Sequence, residues 1–271
     1  MKERFHYKKE MGQNFIFDPA LIERLAEASG VTREDGVLEI GPGRGLLTAA
    51  LARRARQVIA VELDRTLLRD LEVSMALYPN VEIVPGDILR TDIGEIAARL
   101  GSPCRVAANL PYNITTPLLE ELLRGDLPFV SIAVMVQREV GARMTAAPGA
   151  EGYGPFTLLV QYRATAEEAV RVPGACFTPP PKVDSSFMVL GMRQTPAVAV
   201  RDEALLFRTI RASFAMRRKT MLNNLMAGFA LPREAAAALL AGCAIAPETR
   251  AERLGLADFA RLADALGEAA R

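Results

Sequence analysis

The chain of 271 residues has a single histidine, three cysteines and no apolar run approaching the ~20 residues needed to cross a bilayer. Each scarcity excludes something. One histidine removes a histidine-based triad and leaves no cluster of imidazole ligands, so no catalytic metal is expected. Cys104, Cys176 and Cys243 lie far apart without metal-like spacing and read as reduced thiols. The opening Met1-Lys2-Glu3-Arg4-Phe5-His6 has no long apolar stretch of the secretory kind, so a cytoplasmic location is expected, with no membrane contact.

Net charge is also scarce, at +1, which at first sight argues against a nucleic-acid partner. Its distribution argues otherwise. Residues 201–221 carry six basic side chains against two acidic ones, and the N-terminal tail adds Lys2, Arg4, Lys8 and Lys9 against Glu3 and Glu10. Basic patches on an otherwise neutral protein suit a polyanion gripped at defined places, although either patch alone is equally a solvated helix face.

What is abundant is apolar sequence, half of all residues, enough for a well-packed core. Asp18-Pro19 reads as an N-cap followed by proline in the first helical turn, opening a helix that runs to about Gly30. Short apolar runs follow at Val37–Ile40, Val58–Val61, Val81–Val84, Val106–Ala108 and Val130–Val136. Amphipathic segments separate them: Leu46–Arg54, Thr66–Leu77, Ile93–Leu100 and Pro117–Leu123. Non-alternating strands separated by helices predict a parallel sheet covered on both faces, a doubly wound α/β domain. Phe156–Arg163, Ala169–Val172 and Phe187–Leu190 read as strands closing the same sheet antiparallel. Gly191–Val200 reads as a linker, and 201–271 as about four short helices broken near Pro232, Gly242–Pro247 and Gly255. Two domains are therefore expected, 1–193 and 194–271.

Val37–Ile40 runs into Gly41-Pro42-Gly43-Arg44-Gly45, a strand, a glycine turn and then a helix. Glycines there let backbone approach a ligand and adopt positive φ. The spacing departs from the dinucleotide fingerprint: the third glycine comes one residue early, and no P-loop lysine follows. The ligand need not be a pyrophosphate. Val58–Val61 ends in Glu62, 21 positions after Gly41, where such folds place a carboxylate on the ribose hydroxyls. The third strand ends in Gly86-Asp87-Ile88, and Asp87 is a candidate acceptor for an adenine amino group. Alone, either acid has a second reading in helix capping, since Asp64 and Asp87 sit where caps would. Together at the carboxyl ends of successive strands they look like the nucleoside-binding motifs of class I S-adenosylmethionine methyltransferases.

The fourth strand ends in Asn109-Leu110-Pro111-Tyr112. Methylating an exocyclic adenine amine is a problem of geometry. The nitrogen lone pair is delocalised into the ring, so the amine must be held, its hydrogens drawn out of conjugation, and nitrogen aligned with the methyl group. Two neutral acceptors do this without a strong base: the Asn109 side-chain oxygen and the Leu110 carbonyl, whose direction Pro111 fixes. Tyr112 offers a face for a flipped-out base, worth ~1–3 kcal/mol. By itself the tetrapeptide is equally a turn.

Taken with these motifs, the sequence resembles the small-subunit ribosomal RNA adenine dimethyltransferases of the kasugamycin-sensitivity type over essentially its whole length. Gln13-Asn14-Phe15-Ile16 matches the family's N-terminal cofactor motif, with Ile16 where leucine is usual. Phe177 to Ser185 matches its F-x-P-x-P-x-V-x-S segment, and Phe214–Thr220 with Asn223-Asn224-Leu225 resembles its C-terminal RNA-contact helix. The resemblance implies a Rossmann-like class I S-adenosylmethionine methyltransferase sheet with a small all-helical C-terminal domain. It implies S-adenosylmethionine as methyl donor, held by Gln13, Asn14, Ile16, Glu39, Gly41, Gly43, Glu62, Leu63, Asp87, Ile88 and Asn109. It assigns catalysis to Asn109, Leu110, Tyr112 and Phe177, the last stacking on the target base opposite Tyr112, and RNA contact to Arg217, Arg218 and Lys219. The implied substrate is a pair of adjacent adenosines in the 3′-terminal hairpin of 16S rRNA, each dimethylated at N6 within the assembling 30S subunit, with the protein a monomer and an assembly checkpoint.

Three other readings stand beside it. A macrolide-resistance-type enzyme acting on 23S rRNA shares the catalytic core; the basic segment ending in Lys219 favours the small subunit. A mainly non-catalytic ribosome assembly factor shares the fold, and the intact Asn109–Tyr112 argues against it. A DNA adenine methyltransferase lacks room for a target-recognition domain, and a nicotinamide dehydrogenase is disfavoured by the glycine spacing.

Overall fold

A computed structural model describes residues 14–125 and 127–269; Gln13 and the basic N-terminal tail lie outside them. Two compact units emerge. One comprises the chain up to Gly141 together with Thr165–Met192; the other comprises Ala142–Ala164 and the chain from Arg193 onward. The second unit thus takes in a segment that the sequence reading left in the first domain.

The first unit begins with β1 (Phe15–Ile16) and α1 (Pro19–Ala28), whose N-terminus is set by Asp18: its Oδ1 accepts the Ala20 N–H at 2.9 Å. β2 (Gly36–Ile40), α2 (Leu46–Ala52), β3 (Gln57–Glu62), α3 (Arg65–Met75), β4 (Val81–Pro85), α4 (Ile93–Leu100), β5 (Cys104–Asn109), α5 (Thr115–Leu122) and β6 (Phe129–Gln137) then alternate. Asp64 and Asp92 cap α3 and α4 through the N–H groups of Thr66 and Glu95. After β6 come α6 (Arg138–Met144), α7 (Pro155–Arg163), β7 (Ala164–Val172), β8 (Phe177–Thr178) and β9 (Ser185–Met192).

Seven strands form one sheet in the order β4-β3-β2-β5-β6-β9-β7. The pairs β3–β4, β2–β3, β2–β5 and β5–β6 are parallel; β6–β9 is antiparallel. Every residue of β2 is buried, as a strand covered on both faces requires. Chain order reverses at β2, with β3 on one side and β5 on the other. That reversal opens a crevice at the carboxyl ends of the strands, the usual ligand position in such sheets. A separate two-stranded ribbon pairs β1 with β8, Ile16 opposite Phe177 and Phe15 opposite Thr178.

The second unit is helical among its described residues: α7, then α8 (Glu203–Phe214), α9 (Met221–Phe229), α10 (Arg233–Gly242) and α11 (Leu256–Ala269). Leu158 and Tyr162 of α7 pack with Leu206, Ile210, Leu225 and Phe259 in its core. Here the structure corrects the sequence reading, which made Phe156–Arg163 a strand. Pro155 starts the helix, and Phe156, Thr157, Leu158, Val160 and Tyr162 are all buried. A helix buried on nearly every side loses the polar stripe that marks helical period, so its aromatic and branched residues imitate a strand.

Candidate active site

The glycine turn after β2 is built by backbone freedom. Gly41, Gly43 and Gly45 have φ of 68°, 60° and 78°, the left-handed region that side chains avoid. At Gly43 the restriction is also steric: a Cβ there would lie 2.8 Å from Cε1 of Phe15. The N–H groups of Gly41 and Gly45 donate to the carbonyls of Val61 and Pro42, both at 2.9 Å, and the turn carries a third N–H toward β3. That group, from Gly43, donates to Glu62 Oε2 at 3.0 Å, while Glu62 Oε1 accepts the Asp64 N–H at 2.8 Å. The carboxylate at the tip of β3 is fixed in direction from both sides. Burial pushes it above the ordinary carboxylate range, and these two N–H bonds work against that shift.

These elements enclose a crevice of about 210 Å³. It is lined by Asn14 and Ile16, Glu39, Gly41 and Gly43, Glu62 and Leu63, Asp87 and Ile88, and Asn109 with Leu110. Of the residues expected around a cofactor, Gln13 alone falls outside the described chain; the other ten all meet here. Asp87 caps the 3₁₀ turn Ile88–Arg90 through Oδ1, which accepts the Leu89 N–H at 3.1 Å; Oδ2 points elsewhere, 3.8 Å from Arg90 Nε. Capping and ligand binding are thus compatible in one carboxylate. Leu63 and Leu89 are 54% and 45% exposed, apolar surfaces left open at the crevice mouth.

Glu39 is the most unusual group present. It is 1% exposed, and among the described residues neither its Oε2 nor Thr48 Oγ has a hydrogen-bond partner. Burial pushes its carboxyl up to about 8, against the nearby Thr48 hydroxyl and with help from the Glu62 charge. A buried, unpartnered acceptor in an open crevice is a site awaiting a donor.

Asn109 ends β5. Its Nδ2 donates to the Asn14 carbonyl at 3.0 Å, across 95 residues of sequence. That bond fixes the amide plane and leaves Oδ1 as the acceptor. Tyr112 follows in a turn, half-buried, its hydroxyl sharing a 2.5 Å hydrogen bond with that of Ser185. Phe177, the other aromatic expected at the base, is 2% exposed and belongs with Ile16, Ile22 and Leu25 to the core of the first unit. The ribbon pairing with Ile16 holds it there.

The sequence reading missed Phe15, Ile22, Leu25 and Ile114, which also line the crevice. Its helical reading of Arg217-Arg218-Lys219 is corrected as well. These residues form the exposed turn between α8 and α9, closed by a 2.8 Å bond from Lys219 N–H to the Met216 carbonyl. Asn224, within the matched Asn223–Leu225 segment, is 1% exposed and donates to the Ser213 carbonyl at 2.6 Å, bracing the turn from beneath. Of the other cations in 201–221, Arg201 pairs with Glu268 and Arg208 lies over the Phe229 ring.

A parallel sheet ending in one antiparallel pair, a left-handed glycine turn and a carboxylate at the next strand tip define the fold of a class I S-adenosylmethionine-dependent methyltransferase. Residues 4–268 match the ribosomal RNA adenine dimethylase family, and the chain belongs to that family. Ribosomal RNA small subunit methyltransferase A of Shouchella clausii is 45% identical, with 98% of this chain and 91% of that protein aligned. The protein of the same name from Bacillus mycoides is 41% identical, over 98% of this chain and 93% of its own. Among solved structures, a dimethyladenosine transferase from Plasmodium falciparum shares the fold at a TM-score of 0.80 and 24% identity, covering 92% and 95% of the two chains. The 23S rRNA methyltransferase ErmE is similar at 0.70 and 26% identity, over 94% and 100%.

Proposed function

We propose that this chain transfers methyl groups from S-adenosylmethionine to the N6 amines of two adjacent adenosines in the 3′-terminal hairpin of small-subunit ribosomal RNA, acting on the assembling subunit in the cytoplasm. The observation that carries the chemistry is the Asn109 amide, which lines the crevice and is tied through Nδ2 to the Asn14 carbonyl, leaving Oδ1 as its acceptor. The small-subunit substrate is supported by relatives of that name at 41–45% identity.

The residues present fit the cofactor. Gly43 lines the crevice with backbone alone, and the unpartnered Glu39 oxygen offers an acceptor to its cationic amino-acid end. Glu62 holds the ribose hydroxyls with the lone pairs left after its two backbone bonds. Asp87 Oδ2 accepts from the adenine amine, and Leu63, Ile88 and Leu89 flank the ring. When bound, S-adenosylmethionine supplies a methyl group already electrophilic on its sulfonium. The chain's own work is orientation. Asn109 Oδ1 and the Leu110 carbonyl each accept a hydrogen bond from N6 and draw its lone pair out of conjugation with the ring, and the proton shed by the methylated, cationic nitrogen passes to solvent. A monomethylated amine keeps one hydrogen, so the same acceptors hold it for the second transfer. Tyr112 supplies the stacking face.

Glu62→Ala weakens cofactor binding about 10- to 100-fold, the cost of losing hydrogen bonds to a charged acceptor. Glu62→Gln fares little better, because one carboxamide oxygen becomes an N–H₂ facing the Gly43 or Asp64 N–H. Calorimetry with S-adenosylhomocysteine checks both; full affinity in the Gln variant would contradict the assigned geometry.

Neutralising Arg217, Arg218 and Lys219 together weakens subunit binding and flattens its salt dependence by about two to three in log–log slope. An unchanged slope places the phosphate grip elsewhere. The substrate itself is tested by labelled methyl transfer to precursor small subunits against naked large-subunit RNA, with primer extension locating the dimethyladenosines. Exclusive labelling of the large-subunit RNA overturns the reading.

A further inference from the structure

We propose that Ser185 is a positioning residue that locks the Tyr112 ring in place for the target base; this rests on the reading of Tyr112 as the stacking platform. Stacking needs a ring held in place, and Tyr112 sits in a turn after β5 whose hydrogen bonds restrain the backbone behind it: the Pro111 carbonyl accepts from the Ile114 N–H and the Thr115 hydroxyl, both at 3.2 Å. The backbone alone leaves two side-chain torsions free. A hydrogen bond at the far end of the ring fixes where that end lies, and with it the first torsion, and the preference of a phenol hydrogen bond for the ring plane biases the second; that bond is the 2.5 Å contact with Ser185, 73 residues away in sequence.

Ser185 is a stiff anchor. It is fully buried and begins β9, paired with Gln137 of β6. The residue before it is pinned twice: the Asp184 carbonyl accepts the Arg138 N–H at 3.0 Å, and Asp184 Oδ1 accepts the Gly174 N–H at 3.1 Å. The residue after it, Ser186, donates to Glu168 at 2.6 Å. Because β9 runs antiparallel to β6, its start lies at the same sheet edge where the parallel strands end. Ser185 is thereby delivered to the strand-end edge of the sheet that carries Asn109, in contact with Tyr112. The amine acceptors are the Asn109 oxygen and the Leu110 carbonyl, so the phenol has no chemical task of its own. Half-burial keeps it protonated by raising it above the ordinary phenol range, and it remains a hydrogen-bonding group. Phenylalanine would present the same face to a base; what it lacks is the tether.

The test is a double-mutant cycle on Ser185→Ala and Tyr112→Phe, reading kcat/KM for small-subunit RNA, cofactor Kd and the thermal transition. Each single variant is expected to lose about tenfold in kcat/KM, with cofactor Kd unchanged, because a ring loosely held meets the reactive geometry less often. The double variant is expected to lose no more than either single one, since both remove the same bond. Losses that multiply, or a folded Ser185→Ala with full kcat/KM, overturn the proposal. Should Ser185→Ala fail to fold, Tyr112→Phe decides alone, and undiminished turnover in it is a refutation. An active wild type with uncoupled variants removes this inference only; a wild type that methylates no adenosine removes the functional reading together with it.

Discussion

Asn109→Ala loses about 10²–10³-fold in turnover, the scale seen when one preorganised hydrogen-bonding group is removed from a reacting centre. Its affinity for S-adenosylhomocysteine falls far less, about fivefold, the worth of one ordinary hydrogen bond. The small second effect has a specific source. Asn109 Nδ2 holds the Asn14 carbonyl, and Asn14 is one wall of the crevice, so removing the amide loosens that wall. Asn109→Asp harms both functions by another route. It keeps an acceptor toward the amine but sets a carboxylate against the Asn14 carbonyl, so both cofactor affinity and turnover decline. Single-turnover methyl transfer at saturating cofactor, beside calorimetric affinity, distinguishes the three enzymes. Equal losses of affinity and turnover in Asn109→Ala would make Asn109 a structural brace rather than the amine acceptor.

The second large effect is on stability. Glu39 is neutral in the cofactor-free protein up to about pH 8, whereas the unfolded chain ionises it near its ordinary 4.5. Between those values the folded state binds the extra proton, so stability is fully present below pH 4.5, falls as pH rises and levels off above about 8. Glu39→Gln cannot ionise and escapes this loss. Above pH 8 it is expected to be more stable than wild type by about 2–4 kcal/mol, with the difference vanishing below pH 4.5. Denaturant unfolding of the cofactor-free proteins across this range checks it; parallel curves for the two proteins would refute it. The same substitution weakens cofactor binding, because the amide replaces the carboxylate that meets the cationic end of the ligand. A stabilised protein with poorer binding is the signature of a site that holds strain for function.

Some of this was legible without coordinates. Short apolar runs that each end in a glycine or a polar residue, Ile40 before Gly41, Val61 before Glu62, Ala108 before Asn109, reveal parallel strands and the groups at their carboxyl ends, because a strand buried on both faces is mostly apolar and changes character where it leaves the sheet. Asp18 and Asp64 announced helix starts for the same local reason, a side chain satisfying the first free N–H groups. Other features left no local trace. The β1–β8 ribbon joins two-residue strands from opposite ends of the first unit, too short for any periodicity. α7 disguised itself as a strand by being buried all round. Arg217–Lys219 looked helical because its composition is helical, and only Asn224 beneath it shows that the chain turns there.

The division has a physical basis. The sequence by itself determined the doubly wound sheet, the glycine turn, Glu62, Asp87 and Asn109, since periodicity, caps and strand-tip polarity act over a few residues. Tertiary structure alone decided how those groups are aimed. Asn14 turns the Asn109 amide, Ser185 tethers Tyr112, and core packing buries Phe177. Orientation depends on partners 73 or 95 residues distant, and no local pattern encodes which side chain will arrive there.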